Sequence, residues 1–232
     1  MTDLLFDLPP PLVLPVVGQM RGFPVGRVFC VGRNYAAHAA EMGSEVDREA
    51  PFYFTKSATH AVASGQTVPY PPGTEDYHHE MELVVALRGP LFRTKAADLG
   101  AAILGYGCGL DMTRRDLQAV SKSKRRPWDT GKDVEGAAVL GPLTAVPSTE
   151  QIGDRAITLT VNDTLRQSAI LSDMVHSVPE ILADLSRLYH LRPGDVVMTG
   201  TPAGVGPVQP GDRLHGQIDG LQDVTMVVGP AP

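Results

Sequence analysis

The stretch His78-His79-Glu80-Met81-Glu82-Leu83-Val84-Val85-Ala86-Leu87 limits the fold more than any other part of the chain. A Pro/Gly/Asp turn region precedes it and Arg88-Gly89-Pro90 follows, which marks it as a strand. Residues two apart on a strand share a face at a spacing of roughly 7 Å. Glu80 and Glu82 therefore stand side by side, while Met81 and Leu83 face the other way into apolar surroundings. Two neighbouring carboxylates repel unless a proton or a cation lies between them. The pair alone fits an edge strand with a solvated face as well as it fits a cation site.

The rest of the chain supplies strands and turns around that segment. Its 24 glycines and 20 prolines point to a loop-rich, strand-rich domain rather than a helical bundle. Residues 1–26 read as an extended arm, broken by Pro9, Pro10, Pro11 and Pro15. The arm lacks the basic start and unbroken apolar run of a signal peptide, and no later run reaches membrane-span length. The expectation is a soluble cytoplasmic protein. Arg27 to Val31 is a short buried strand, followed by a helix from Ala36 to Met42 that sets His38 and Glu41 on one face. With the polar segment Ser44 to Glu49, this helix makes a lid over about 33–50.

Further on, Pro51 to Lys56 is an aromatic strand, Thr113 to Val120 a helix, and Thr158 to Arg166 a hairpin turning at Asn162-Asp163. Ser177-Val178-Pro179-Glu180 has capping-box spacing, and the following helix aligns Ile181, Leu182, Leu185 and Leu188. No linker divides the chain after Arg27. Cys30 and Cys108 lie in apolar runs without paired spacing, so they read as small buried hydrophobes. A net charge of -6 argues against nucleic-acid binding, and the basic cluster Lys122 to Arg126 reads as solvated surface.

Asp111, at the end of another apolar run, joins Glu80 and Glu82 as a third carboxylate marked by position. An all-oxygen ligand set suits a hard cation, Mg2+, Mn2+ or Ca2+, rather than zinc. His78 and His79 lack the cysteine partners of a zinc deaminase site and read as supporting or turn residues. The Thr199 to Gly206 loop is glycine-rich but matches neither a phosphate loop nor a dinucleotide fingerprint.

Four motifs, met in order, carry a family likeness: Cys30-Val31-Gly32-Arg33-Asn34-Tyr35-Ala36-Ala37-His38, His78 to Leu83, Leu110 to Gln118, and Thr199 to Gly206. From about Arg27 onward the chain resembles the fumarylacetoacetate hydrolase family. Thr113 to Asp116 and Arg125 to Asp129 narrow the likeness to bacterial fumarylpyruvate (acylpyruvate) hydrolases of gentisate breakdown. Two positions depart from the family's usual pattern: Ser57 follows Lys56 where proline is usual, and Lys132 sits in Thr130-Gly131-Lys132-Asp133-Val134.

The resemblance implies a β-rich α+β fold, a mixed β-sandwich or roll with peripheral helices and a helical lid, in one catalytic domain over residues 27–232. It implies a divalent ion on Glu80, Glu82 and Asp111, a lid pair of His38 and Glu41, and a catalytic Lys132. Substrate contacts fall on Arg115, Gln118, Thr201 and Lys56. The implied reaction is metal-dependent hydrolysis of the carbon–carbon bond of an acylpyruvate, fumarylpyruvate above all. The same ligands would serve an oxaloacetate decarboxylase or an isomerase or hydratase of dienoic oxo acids. A non-catalytic binding protein fits poorly with an intact His38, Glu41 and carboxylate set. The implied partners are a small 2-oxo acid and a second copy of the chain in a homodimer, with no nucleic acid and no membrane.

Overall fold

A strand buried along its whole length needs cover on both faces, and Met81–Leu87 has it. In the computed structural model, which describes residues 5–43, 45–146 and 152–232, Met81, Leu83, Val85 and Leu87 enter one core. Val84 and Ala86 enter a second core on the opposite face. Residues 1–4 of the expected arm and Ser44 of the expected lid lie outside the described residues.

The strand sits at the centre of an eight-stranded mixed sheet. The order is Phe52–Lys56, Arg27–Gly32, Asp195–Met198, Met81–Leu87, Ile103–Asp111, Ala138–Leu140 and Ala61–Ala63, with Thr144–Ala145 also on the Ile103–Asp111 strand. Arg27–Gly32 runs parallel to Asp195–Met198, and Ala138–Leu140 parallel to Ala61–Ala63. A five-stranded sheet, from Thr164–Ile170 through Ala156–Val161, Arg213–Ile218 and Val224–Gly229 to Gln66–Pro69, closes over the first core. A small sheet of Thr113–Arg114, Tyr77–His79 and Gly206–Pro207 lies at the end that bears the glutamates. The result is the expected strand-rich α+β roll with peripheral helices. Among the described residues, no helix is long and apolar enough to cross a membrane.

Residues ahead of Arg27 do more than lead in. Val13–Leu14 pairs with Phe23–Pro24, and Leu14, Val16, Phe23 and Val25 are buried in the second core. The hairpin at Asn162-Asp163 forms as expected, with φ of 49° and 62° at its two turn residues, the left-handed pair of a type I′ turn. The Ser177 backbone N–H donates to Glu180 Oε2 at 2.7 Å, and Val178, Ile181, Leu182 and Leu185 are buried as the capped helix predicts. Leu188 departs from that stripe at 61% exposed, because it is the last helical residue and the core does not extend beneath it. The helix expected from Thr113 begins at Arg115 instead. Thr113 and Arg114 are held as strand by His78 and Tyr77, a pairing invisible to local pattern. Cys30 and Cys108 are buried free thiols.

Close backbone approach fixes one glycine. A Cβ on Gly105 would stand 2.1 Å from the Thr144 carbonyl oxygen and 2.8 Å from Ala145 Cα. Gly105→Ala is therefore expected to pry the Thr144–Ala145 strand away, at a cost of about 1–3 kcal/mol. A fall in the urea midpoint with an unchanged slope is the expected reading.

Candidate metal centre

The strand expected to run through His78 to Leu87 is in fact two, Tyr77–His79 and Met81–Leu87, with Glu80 at the joint. The break has a partner: the Met81 N–H donates not to a neighbouring strand but to Gln167 Oε1 at 2.9 Å. Across the ladder, the Asp111 N–H donates to the Glu80 carbonyl at 2.8 Å, and Glu82 lies opposite Gly109. Directly opposed residues share a face, so Glu80, Glu82 and Asp111 converge. Their nearest oxygens all lie within 4.8 Å of one another, and all three residues are buried. The solvent-face reading of the pair is thereby excluded: Glu80 is 4% and Glu82 1% exposed.

Three cationic side chains meet the cluster. Lys132 Nζ bridges Glu80 Oε2 at 2.7 Å and Asp111 Oδ2 at 2.8 Å. Arg115 reaches Glu80 Oε1 at 2.5 Å, and Lys56 reaches Asp111 Oδ1 at 2.8 Å. Burial alone would raise the Glu80 carboxyl, but Lys132 and Arg115 outweigh it and hold it well below the usual carboxylate range. Burial likewise opposes the charge on Lys132, yet Asp111 and Glu80 raise it above the ordinary lysine value. Glu82 fares differently. Among the described residues its hydrogen-bond donor is the Gly200 N–H at 2.8 Å, and burial, then Asp111 and Glu80, push its carboxyl well above the ordinary range. Among the described residues no cation pairs with Glu82, and the more distant pull of Lys132 does not offset the rise. Buried carboxylate oxygens a few ångströms apart, with one uncompensated, fit a hard divalent cation.

His38 stands over this cluster from the Ala36–Glu41 helix. It lines a narrow cleft with Glu80, Glu82, Asp111, Arg115, Gln118, Lys132 and Thr201. The free volume is about 30 Å³, room for a water or two. Burial chiefly lowers the imidazole below its ordinary value; Glu80 pulls it back up, and Arg115 and Lys132 lower it again. Its Nδ1 lies 3.5 Å from Glu41 Oε2, long for a formed bond and of the sort that tightens in a working complex. Glu41 itself accepts the Gly204 N–H at 3.1 and 3.2 Å, tying the helix to the glycine-rich loop.

Residues 27–228 match the family described as "Fumarylacetoacetate (FAA) hydrolase C-terminal". The chain belongs to the fumarylacetoacetate hydrolase family. It is 48% identical over 192 residues to a fumarylpyruvate hydrolase of Ralstonia sp, covering 82% of this chain and 100% of that one. It is also 38% identical over 214 residues to the oxaloacetate tautomerase YcgM of Escherichia coli (strain K12), covering 91% and 96% of the two chains. Among solved structures, fumarylpyruvate hydrolase from Pseudomonas aeruginosa in complex with Mn2+ and pyruvate superposes with a TM-score of 0.93. That match spans 98% of this chain and 100% of the other at 42% identity.

In this family member the residues singled out from sequence fall in two groups. His38, Arg115, Gln118, Lys132 and Thr201 line the cleft with the three carboxylates. Glu41 lies behind His38. Lys56 does not line the cleft: it sits behind Asp111 and also donates to the carbonyls of Met112, at 3.0 Å, and Lys132. Arg115 also donates to Gln118 Oε1 at 2.7 Å, which fixes both from one helix. Of the two histidines, His79 is buried against Gln167 and His78 contacts Asp76 and Arg115.

Two residues escaped the sequence reading. Gln167, fully buried, donates to Thr201 Oγ1 at 2.8 Å while accepting from Met81. Asn34 donates to the carbonyls of His176 at 3.0 Å and Thr199 at 2.8 Å, clamping the base of the lid to the loop. Asn34 lay inside a recognised motif. Gln167, in an ordinary polar hairpin strand, gave no signal.

Proposed function

We propose that the chain is a divalent-metal-dependent hydrolase that cleaves the carbon–carbon bond of an acylpyruvate, fumarylpyruvate in the first place. The observation that carries the reading is the buried triad Glu80, Glu82 and Asp111 with His38 above it in one cleft. Identity to a fumarylpyruvate hydrolase supports the choice of acyl group. Glu80, Glu82 and Asp111 would hold the ion, which supplies Lewis-acid stabilisation of negative charge on the oxygens of a 2-oxo acid.

The protein's own groups do the rest. Neutral His38 takes a proton from water, and the water oxygen adds to the acyl carbonyl carbon. The bond between that carbon and the pyruvyl methylene then breaks, its electron pair leaves with the pyruvyl fragment, and a proton completes pyruvate. Arg115, Gln118 and Thr201 orient the acid, and Lys132 donates to oxygens that gain charge. Lys56 braces Asp111 and the Lys132 carbonyl from behind.

Glu41 orients His38 and favours the proton it gains. Glu41→Gln is expected to lower kcat about tenfold with little change in KM, since a positioning partner contributes less than the base itself. Steady-state rates with saturating Mn2+ check this.

The reading brings a setting with it: breakdown of aromatic compounds in the cytoplasm, by a homodimer using Mg2+ or Mn2+, with 27–232 as catalytic unit and 33–50 as lid. A second reading, enol–keto exchange or decarboxylation of oxaloacetate, draws support from the tautomerase relative. Incubation of the purified protein with fumarylpyruvate, maleylpyruvate, acetylpyruvate and oxaloacetate separates the two. Faster turnover of oxaloacetate than of any acylpyruvate overturns the hydrolase.

A further inference from the structure

The cleft over the carboxylates is too small for a whole acylpyruvate, so the acyl chain must leave it somewhere. Next to it opens a cavity of about 360 Å³. The two share Gly32, Arg33 and Trp128 in their linings. The larger one is set with cations: Arg33, Lys122, Arg125 and Arg126, with His176 on its wall. None of the four forms an ion pair among the described residues. Asp47 also lines the cavity, but its carboxylate accepts from the N–H groups of Glu49 and Ala50 in its own loop.

The indole of Trp128 organises the junction. The Arg33 guanidinium lies 5.9 Å and Lys122 Nζ 5.7 Å from its ring centroid. Arg33 holds left-handed backbone, φ 59°, uncommon outside glycine and frequent where a side chain is aimed for function. Phe52 meets the same ring edge-on at 4.8 Å. Burial, then Arg33 and Arg115, lower the lysine amine of Lys122. An uncharged acyl tail would gain only apolar contact with Phe52, Trp128 and their neighbours, whereas a carboxylate would also relieve the mutual repulsion of the cations and accept charge-assisted hydrogen bonds.

We infer that this cavity is the subsite for a carboxylate at the far end of the acyl group, read by Arg33 and Lys122 beside Trp128, so that the enzyme selects dicarboxylic acylpyruvates. The inference rests on the acylpyruvate reading and adds to it the residues that recognise the far end of the acyl group.

The test compares kcat/KM for fumarylpyruvate, which has the distal carboxylate, with acetylpyruvate, which lacks it, at saturating Mn2+. In Lys122→Ala and Arg33→Ala the ratio of the two is expected to fall about tenfold to a hundredfold, the worth of a hydrogen bond to a charged group. The loss should lie in KM for fumarylpyruvate, and Lys122→Arg should keep most of the ratio. An unchanged ratio, or equal loss on both substrates as general anion steering would give, overturns the inference. Trp128 is the single tryptophan of the chain, so its fluorescence gives a second measurement free of catalysis. Fumarate should bind the wild type more tightly than crotonate and lose that advantage in Lys122→Ala. Equal affinities in the wild type overturn the subsite. If the wild type cleaves neither acylpyruvate, the hydrolase reading falls, and the titration still decides the subsite.

Discussion

Glu82→Gln is expected to remove metal-dependent activity and yet leave the metal-free protein more stable than the wild type. Both effects have one cause. Glu82 is buried beside two other carboxylates, and the Gly200 N–H is its hydrogen-bond donor in place of a cation. Its charge is costly without an ion and is one of the ligands once an ion is bound. Glutamine keeps the shape and one acceptor oxygen but not the charge. Loss of several kcal/mol of Lewis-acid stabilisation corresponds to roughly a thousandfold in rate. Affinity for Mn2+ should fall by more than about a hundredfold, the loss that removal of a mere supporting partner can cause. Thermal melts supply the second arm. Wild type with Mn2+ at a hundred times its Kd gains about 2.7 kcal/mol, or roughly 5–10 °C for a chain of this size. Glu82→Gln should start from a higher metal-free Tm and keep only a small fraction of that response. A variant that still binds Mn2+ and works normally would move the metal centre elsewhere.

Replacing His38 with glutamine should cost about 10²–10⁴ in kcat, the range for removal of a positioned general base. Mn2+ binding and the Mn2+-induced rise in Tm should survive, because His38 is not among the converging carboxylates. The pair of variants therefore separates holding the ion from moving the proton. A pH profile sharpens the assignment. Burial disfavours the imidazolium, so His38 titrates below the ordinary histidine value and stays a neutral base to more acidic pH. The acid limb of kcat/KM should accordingly lie below the usual histidine range in the wild type and disappear in His38→Gln. An acid limb unmoved by the substitution would assign the base to another group.

What the sequence disclosed and what it withheld divide along the range of the interactions. Glu80 and Glu82 could be placed on one face from a spacing of two, and the capping of the Val178–Leu188 helix from Ser177 and Glu180 three apart. The Asn162-Asp163 turn followed from what those residues tolerate. The burial of the glutamate face could not be read, because it depends on strands and a loop far along the chain: Gly200 is 118 positions from Glu82. The same holds for the strand break at Glu80, imposed by Gln167 from 86 positions beyond Met81. Lys56 shows the limit of residue-by-residue inference. The family likeness sets this cation on the substrate, whereas the fold turns it to the back of Asp111. Motif spacing names the residues at a site but not the side from which each approaches.

The three cations around the triad have a kinetic consequence. Lys56, Lys132 and Arg115 set three positive charges against three carboxylates. Without an ion, burial and the neighbouring carboxylates disfavour the Glu82 charge, so the neighbourhood is already slightly positive, and the cations of the adjoining cavity add to its pull on an anion. A dication restores the Glu82 charge but adds two of its own, so the net positive charge rises and the long-range attraction for an acid strengthens. The organic acid should therefore associate faster with the metal-loaded protein than with the metal-free one. The acid's on-rate, more than its off-rate, should carry the dependence on ionic strength.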